Sequence, residues 1–331
     1  MNQLPEHPEL LAWQSDVWQK MTSRFPHIGH GLLLHGKQGC GKRQFALHFT
    51  QWLLCQNKQA QGACGQCASC AWMQAGTHPQ VKIIQPEWDD KKQSFGAIKI
   101  DQVRQLSDFI QQTVEGWRVV IIYPAEQLNI ASSNALLKTL EEPGERVVVI
   151  LVSDSMLRLP ATIRSRVQKF ALDRITPTEA LAYLQAQPIE VAQHHQKQEI
   201  SLALASTMPL KAQEILNSAW FVQRQTFVEQ WADLVKFKRS PMKFSITWMK
   251  QLDLRQLLLM LRYCLQDAIA YHLQQPIKQS DLDIASLAQH YSLEQLFAIS
   301  EQINKITVLL AQNVQGQLIF DELTMRLMNV E

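Results

Sequence analysis

An α/β unit built on a parallel sheet, followed by helical units alone, is the fold that this sequence predicts. Three observations lead there. Over the first half of the chain, short apolar runs alternate with helix-patterned stretches, the layout of strands joined by crossover helices. A glycine-rich phosphate-loop signature stands between one such run and one such stretch. Past about residue 172 the strand signal fades and only helical periodicity remains.

The elements follow in order. Gly31–His35 reads as a buried strand, and Lys42 to about Leu54 as a helix with Phe45, Phe49 and Leu53 at four-residue spacing. Asp101 is the expected N-cap of a helix carrying Val103, Leu106, Phe109 and Ile110. Val119–Tyr123 and Val147–Val152 are further buried strands. Between them a helix is expected from about Glu126 to Glu142, stopped by Pro143-Gly144. Pro177-Thr178-Glu179 then opens a helix with Ala180, Leu181 and Leu184, and Trp220–Phe237, Leu254–His272 and Leu318–Met328 continue the helical text. Residues 1–170 thus form the α/β domain, 171–211 a small helical domain and 212–331 a larger helical bundle. Trp220, Phe221, Phe227 and Trp231 recur at helical spacing and are expected in its core or against a partner.

Composition narrows the function. The 331 residues are 46% hydrophobic and 19% charged, with a mean hydropathy of −0.15, which excludes wholesale disorder. A net charge of +2 lacks the basic surplus of a protein that binds nucleic acid unaided. The longest apolar run, Val147–Val152, is far short of the roughly 20 residues that span a bilayer. The opening residues lack the layout of a secretory signal, so a soluble cytoplasmic protein with no membrane partner is expected.

Gly36-Lys37-Gln38-Gly39-Cys40-Gly41-Lys42-Arg43 fits the phosphate-loop pattern in its required strand–helix setting. Gly36, Gly39 and Gly41 let the backbone approach a phosphate, the helix N-terminus adds positive charge, and Lys42 reaches the outer phosphates. Arg43, however, stands where a Ser or Thr hydroxyl would hold Mg²⁺. The acidic residues expected after a neighbouring strand are also missing, since Ile122 leads into Tyr123-Pro124. Glu126, two residues beyond, suits a helix start. The loop keeps a phosphate cradle, so ATP binding stays open, but hydrolysis is not expected.

Cys55, Cys64, Cys67 and Cys70 supply four thiolates within sixteen residues, the donor set of a tetrahedral structural Zn²⁺ with no open position. Disulfides are disfavoured in a reducing cytosol, and redox cycling needs one C-x-x-C rather than this set. Cys40 and Cys264 read as ordinary small residues.

A phosphate loop followed by this cysteine insertion resembles the bacterial clamp-loader ATPase family of the AAA+ class. Further matches come in the same order: Gln74–Pro79, Ile100–Arg104, Ser133–Pro143, Thr162–Arg166 and Asn313–Leu318. The broken nucleotide motifs point to a non-hydrolysing member, not to the motor subunit. The resemblance implies an AAA+ α/β domain, a helical lid and a C-terminal collar. It also implies assembly with gamma/tau motor subunits and delta, opening of the sliding clamp and its loading on primed DNA at the replisome. Ser165-Arg166 matches the family's Ser-Arg-Cys motif, with Val167 in place of the cysteine. It assigns to Arg166 the role of an arginine finger acting in trans on a neighbour's ATP.

Other positions stay open. Ser153 matches a γ-phosphate sensor position and Lys211 lies near a second one. Lys138 is either an interface residue or a solvated helix face. Lys236, Lys238, Arg239 and Lys243 are either a DNA contact or a solvated edge. An active ATPase would need a hydroxyl at 43 and acids after Ile122. A zinc-dependent nucleic-acid binder would need basic residues around the cysteines, yet Gln56–Cys70 holds one lysine and no arginine.

Overall fold

The computed structural model describes residues 9–89, 94–111, 115–187, 195–309 and 315–328. These fall into two compact units, Met1–Asp89 with Phe95–Glu179, and Asp90–Ser94 with Ala180–Glu331.

The first unit is a parallel sheet with helices on both faces. Its strands are β1 (Gly31–His35), β2 (Val81–Ile84), β5 (Arg118–Ile122), β6 (Val147–Ser153) and β7 (Gln168–Ala171), in the order β2-β5-β6-β1-β7. Every pairing is parallel, with Gly31 opposite Val149 and His35 opposite Ser153. Two-residue strands β3 (Trp88–Asp89) and β4 (Ser94–Phe95) lie outside this sheet. All residues of β5 and β6 are buried, as central parallel strands covered on both faces require. Strand alternation sends Leu33, Val120, Ile122, Val149 and Leu151 into one core with α4 (Ile100–Gln111) and α5 (Ile130–Glu141). On the other face lies α2 (Lys42–Leu54), which buries Phe45, Phe49 and Leu53. Two shorter helices, α1 (Ser15–Thr22) and α3 (Ala68–Gln74), and the single turn α6 (Ala161–Arg164) complete the unit.

Two local expectations change. The helix that Asp101 was expected to cap includes that residue and begins at Ile100. Gln102 takes over the capping role by accepting from Lys99 N–H at 2.9 Å, while Asp101 pairs with Arg104 inside the first turn. The helix expected from Glu126 is interrupted. Ala125–Gln127 forms a 3₁₀ turn, and α5 starts afresh at Ile130 because Asn129 Oδ1 accepts from Ser132 N–H at 2.8 Å.

α7 (Pro177–Gln185) carries the boundary between the units. The second unit holds α8 (His195–Leu204), α9 (Pro209–Leu216), α10 (Ala219–Lys236), α11 (Pro241–Gln251), α12 (Leu254–His272), α13 (Ile284–Ala288), α14 (Leu293–Leu309) and α15 (Gly316–Met328). Trp220, Phe221, Phe227 and Trp231 are all buried here. Trp231 Nε1 donates to Tyr291 Oη at 2.8 Å, and that hydroxyl donates to Leu327 O at 2.5 Å. One aromatic pair thereby ties α10 and α15 to the turn between α13 and α14, with its polar atoms satisfied. Buried Arg224 lies over Phe221 and forms an ion pair with Asp281. Buried Asp267 accepts from Lys278 N–H, Gln279 N–H and the Gln279 amide, pinning the loop before α13. Of the Asn313–Leu318 motif, Asn313 and Val314 lie outside the described residues.

Candidate functional site

Strand β1 ends at His35 and the chain turns through Gly36, Gly39 and Gly41 into α2. Gly41 has φ +86°, and a Cβ there would stand 2.6 Å from Leu11 Cδ1 and 2.7 Å from Gln14 Nε2. The loop is therefore covered from outside by the segment before α1. Gln14 Nε2 donates to Cys40 O and Gly41 O at 3.2 Å, and Trp13 Nε1 donates to Cys40 O at 3.0 Å. At the loop's other end, a Cβ on Gly36 would meet Asp173 at 2.9 Å. Asp173 Oδ2 accepts from Lys37 N–H at 3.1 Å, so a carboxylate takes one of the amides available to an anion.

Lys42 is only 4% exposed. Its Nζ lies 2.8 Å from Asp154 Oδ1 and donates to Lys37 O at 2.9 Å. Asp154 follows Ser153 at the end of β6, and its N–H donates to Glu126 Oε1 at 3.0 Å. Glu126 is thus tied to the Asp154 backbone instead of starting a helix. Burial beside this cluster pushes the Cys40 thiol up to about 11.

The two positions that would hold magnesium face each other. The Arg43 guanidinium carbon sits 5.6 Å from the centre of the Tyr123 ring, a cation–π distance. Burial, then the nearby Asp154 carboxylate, raises the Tyr123 hydroxyl above its ordinary range. A stacked cation and a protonated phenol offer no anionic oxygen to a hard divalent ion.

The four cysteines converge. Their sulfurs all lie within 4.8 Å of one another, with Cys55–Cys67 and Cys64–Cys70 at 3.9 Å and Cys67–Cys70 at 3.5 Å. A disulfide would need about 2.05 Å. Tetrahedral zinc–sulfur bonds of about 2.3 Å place sulfurs about 3.8 Å apart, and the cluster matches that spacing. Cys64 N–H donates to Cys55 Sγ at 3.2 Å. Burial opposes ionisation of Cys67, but the amides of Gln56 and Cys70 hold its thiol down at about 6. Burial sends the Cys70 thiol up to about 12. The residues fit a soft metal ion. The module is pinned to the unit by Trp18 Nε1 donating to Ala60 O and Trp52 Nε1 donating to Gln59 O, both at 2.9 Å, and by His48 Nε2 2.9 Å from Gln61 O.

Arg166 follows α6 and is 36% exposed. Its Nε and Nη2 both reach Glu141 Oε1, at 2.7 and 2.6 Å, and Nη1 donates to Thr162 O at 3.0 Å. Ser165 Oγ donates to the same carbonyl at 3.0 Å. A Cβ on Gly31 would lie 3.2 Å from Arg166 O, which puts Arg166 at the N-terminal end of β1. The chain's own phosphate loop begins at the other end, about 17 Å away at the usual rise per strand residue.

Ser153 is buried and its Oγ accepts from Ser155 N–H at 3.2 Å. Lys138 is exposed on α5, and Lys211 pairs with Glu214 at 2.9 Å in the second unit. Sequence reasoning missed Trp13, Gln14, Asp154, Asp173 and Glu141. For Asp154 a signal existed: it is the carboxylate just past a strand's C-terminal end, where parallel sheets place ligands.

The fold and the loop define an α/β protein of the P-loop class. Residues 13–176 match the family described as DNA polymerase III, delta subunit. The DNA polymerase III subunit delta' of Pseudomonas aeruginosa is 37% identical over 243 residues, covering 72% of this chain and 71% of that protein. The Haemophilus influenzae subunit delta' is 30% identical over 292 residues, covering 86% and 85%. A solved DNA polymerase III gamma subunit-related protein from Thermotoga maritima has a TM-score of 0.44 at 16% identity, over 96% of this chain and 99% of that one. The chain belongs to the DNA polymerase III subunit delta' family.

Proposed function

We propose that this chain serves a clamp loader as its non-hydrolysing delta' member, completing a neighbour's ATP site with Arg166 while its own phosphate loop stays closed. One observation carries the reading: Lys42 is buried against Asp154, whereas Arg166, paired with Glu141 and 36% exposed, stands at the opposite end of β1. Arg166 is too far to serve its own loop, so any phosphate it touches belongs to another subunit. There the forked, permanently charged guanidinium neutralises charge that develops on the transferred phosphoryl group, worth on the order of 10³–10⁵ in rate where arginine fingers act. Ser165 and Thr162 position it.

The partners in this reading are gamma/tau motor subunits, delta, the sliding clamp and primed DNA, reached mainly through the complex in the cytoplasm. No described helix is long and apolar enough to cross a membrane. The helices from Ala180 onward supply lid and collar. Zinc is the metal proposed for the four thiolates, where it would tie Cys55 at the end of α2 to Cys67 and Cys70 beside α3 and leave no position for water. Gly36, Gly39, Gly41 and Lys42 are retained as a closed remnant of the nucleotide cradle.

The test is reconstitution. The purified chain should turn over no ATP. The complex built with it should show DNA-stimulated turnover that falls when the chain carries Arg166→Ala, with assembly unchanged on gel filtration. Magnesium-dependent hydrolysis by the isolated chain, or full turnover with the variant, would contradict the reading.

A further inference from the structure

We propose that the turn joining α10 to α11 is a binding site for single-stranded nucleic acid, a contact independent of the arginine and of the closed phosphate loop. From Lys236 to Lys250 the chain carries five cations and no carboxylate, within a protein whose whole net charge is +2. Lys236, Lys238, Arg239, Lys243 and Lys250 are all exposed. The nearby acid is Asp233, which pairs with Arg239 at 3.1 Å.

An aromatic ring stands among these charges. Phe237 is 58% exposed, although a phenyl ring gains by burial. Lys236 Nζ lies 5.3 Å from its centre and Arg239 Cζ 5.6 Å, so two cations stand against the exposed ring. Grooves that hold single strands combine these parts: cations for the phosphates and an aromatic platform on which an unpaired base stacks. A duplex hides its base faces and would leave the ring unused.

The backbone of the turn supplies a second observation. Phe237 N–H bonds Asp233 O and Arg239 N–H bonds Leu234 O at 3.1 Å, the helix-ending arrangement that puts the intervening residue in the left-handed region. That residue is Lys238, at φ +46°. Glycine adopts this conformation without strain, whereas a lysine there keeps a charge at a conformational cost. Ser240 then caps α11, whose positive N-terminal end faces the same turn. Lys243, Ile246 and Lys250 follow at helical spacing on one exposed face, extending the track beyond Phe237.

The experiment measures fluorescence anisotropy of a labelled 20-nucleotide oligothymidylate with the full chain, beside a duplex of equal length and anionic phosphatidylglycerol vesicles. Binding to the single strand is expected, tighter than to either competitor, weakening with salt by about 0.7 log units per log unit of salt for each phosphate neutralised. Phe237→Ala should weaken it about tenfold with the salt slope unchanged. Lys238→Gly, which relieves the left-handed strain and leaves folding intact, should lower both affinity and slope by one phosphate contact. Absence of salt-sensitive binding, indifference to both variants, or a preference for duplex or vesicles would each overturn the proposal.

Discussion

Lys42 and Asp154 form an ion pair at 2.8 Å inside the phosphate loop, so the lysine that would reach for an outer phosphate already holds an anion. The carboxylate belongs to the residue after β6, the strand beside β1, and parallel pairing of the two strands brings their ends to the same edge. A fixed internal counter-ion competes with any incoming phosphate at an effective concentration that dissolved nucleotide does not match. The loop has kept its shape, but its charge is spoken for.

Asp154→Ala should therefore do two things. It leaves Lys42, 4% exposed, without its carboxylate. Breaking a buried pair costs about 3–5 kcal/mol, but Asp154 is itself 37% exposed, so solvent screening reduces the loss to about 1–2 kcal/mol. Differential scanning fluorimetry should show a lower Tm. Millimolar inorganic phosphate should raise the Tm of the variant and leave the wild type unmoved, because a ligand stabilises only the form that binds it. Equal responses of the two proteins to phosphate would refute the counter-ion role.

The parallel sheet, the loop and the cysteine cluster were legible because each is local. A strand next to a glycine turn and a helix, or four cysteines within sixteen residues, needs no knowledge of the rest of the chain. What the sequence hid was long-range or capped by one polar atom. Asp173 meets Lys37 across 136 positions, and no periodicity predicts that. The single helix expected from Glu126 failed on Asn129, whose side chain restarts the helix more favourably than the chain could continue through it. Strand β7 was not foreseen because Gln168-Lys169-Phe170-Ala171 is a half-buried edge without a continuous apolar run. Arg43 and Tyr123 were each read as a loss, but their contact with each other belongs to the tertiary structure.

Metal removal tests the cysteine module. Elemental analysis should give one equivalent of zinc, and Cys67→Ser should lose it, because a hydroxyl is a poor replacement for a thiolate at this position. Binding of a structural metal contributes directly to folding. The variant, or wild type treated with a strong chelator, should lose several degrees of Tm and become protease-sensitive between Cys55 and Cys70. Metal-free protein with an unchanged Tm would exclude the site.

Trp231→Phe probes the second unit. The substitution removes the indole N–H that donates to Tyr291 at 2.8 Å and leaves a small void beside Phe227 and Tyr291. A lost buried hydrogen bond and the void together cost about 2–3 kcal/mol. Chemical denaturation should show a lower midpoint with an unchanged slope. A loss below about 0.5 kcal/mol would mean that the pair is not a fixed part of the core.

Arg166 and Glu141 supply the last test. One carboxylate oxygen accepts from both Nε and Nη2, and Thr162 O takes Nη1, so three contacts fix where the guanidinium points. Both side chains are at least a third exposed, and removing either should change the stability of the isolated chain by less than about 1 kcal/mol. In a reconstituted complex the effects should separate. Arg166→Ala should lower turnover at the adjoining site at least about tenfold, and Arg166→Lys should not restore it, because an ammonium keeps the charge but loses the planar fork. Glu141→Gln keeps an acceptor at the same place and should cost only a few-fold. Steady-state ATPase assays on the three variants decide the matter. Full rescue by lysine would reduce Arg166 to a source of diffuse positive charge, and a Glu141→Gln loss as large as that of Arg166→Ala would move the essential group to the carboxylate.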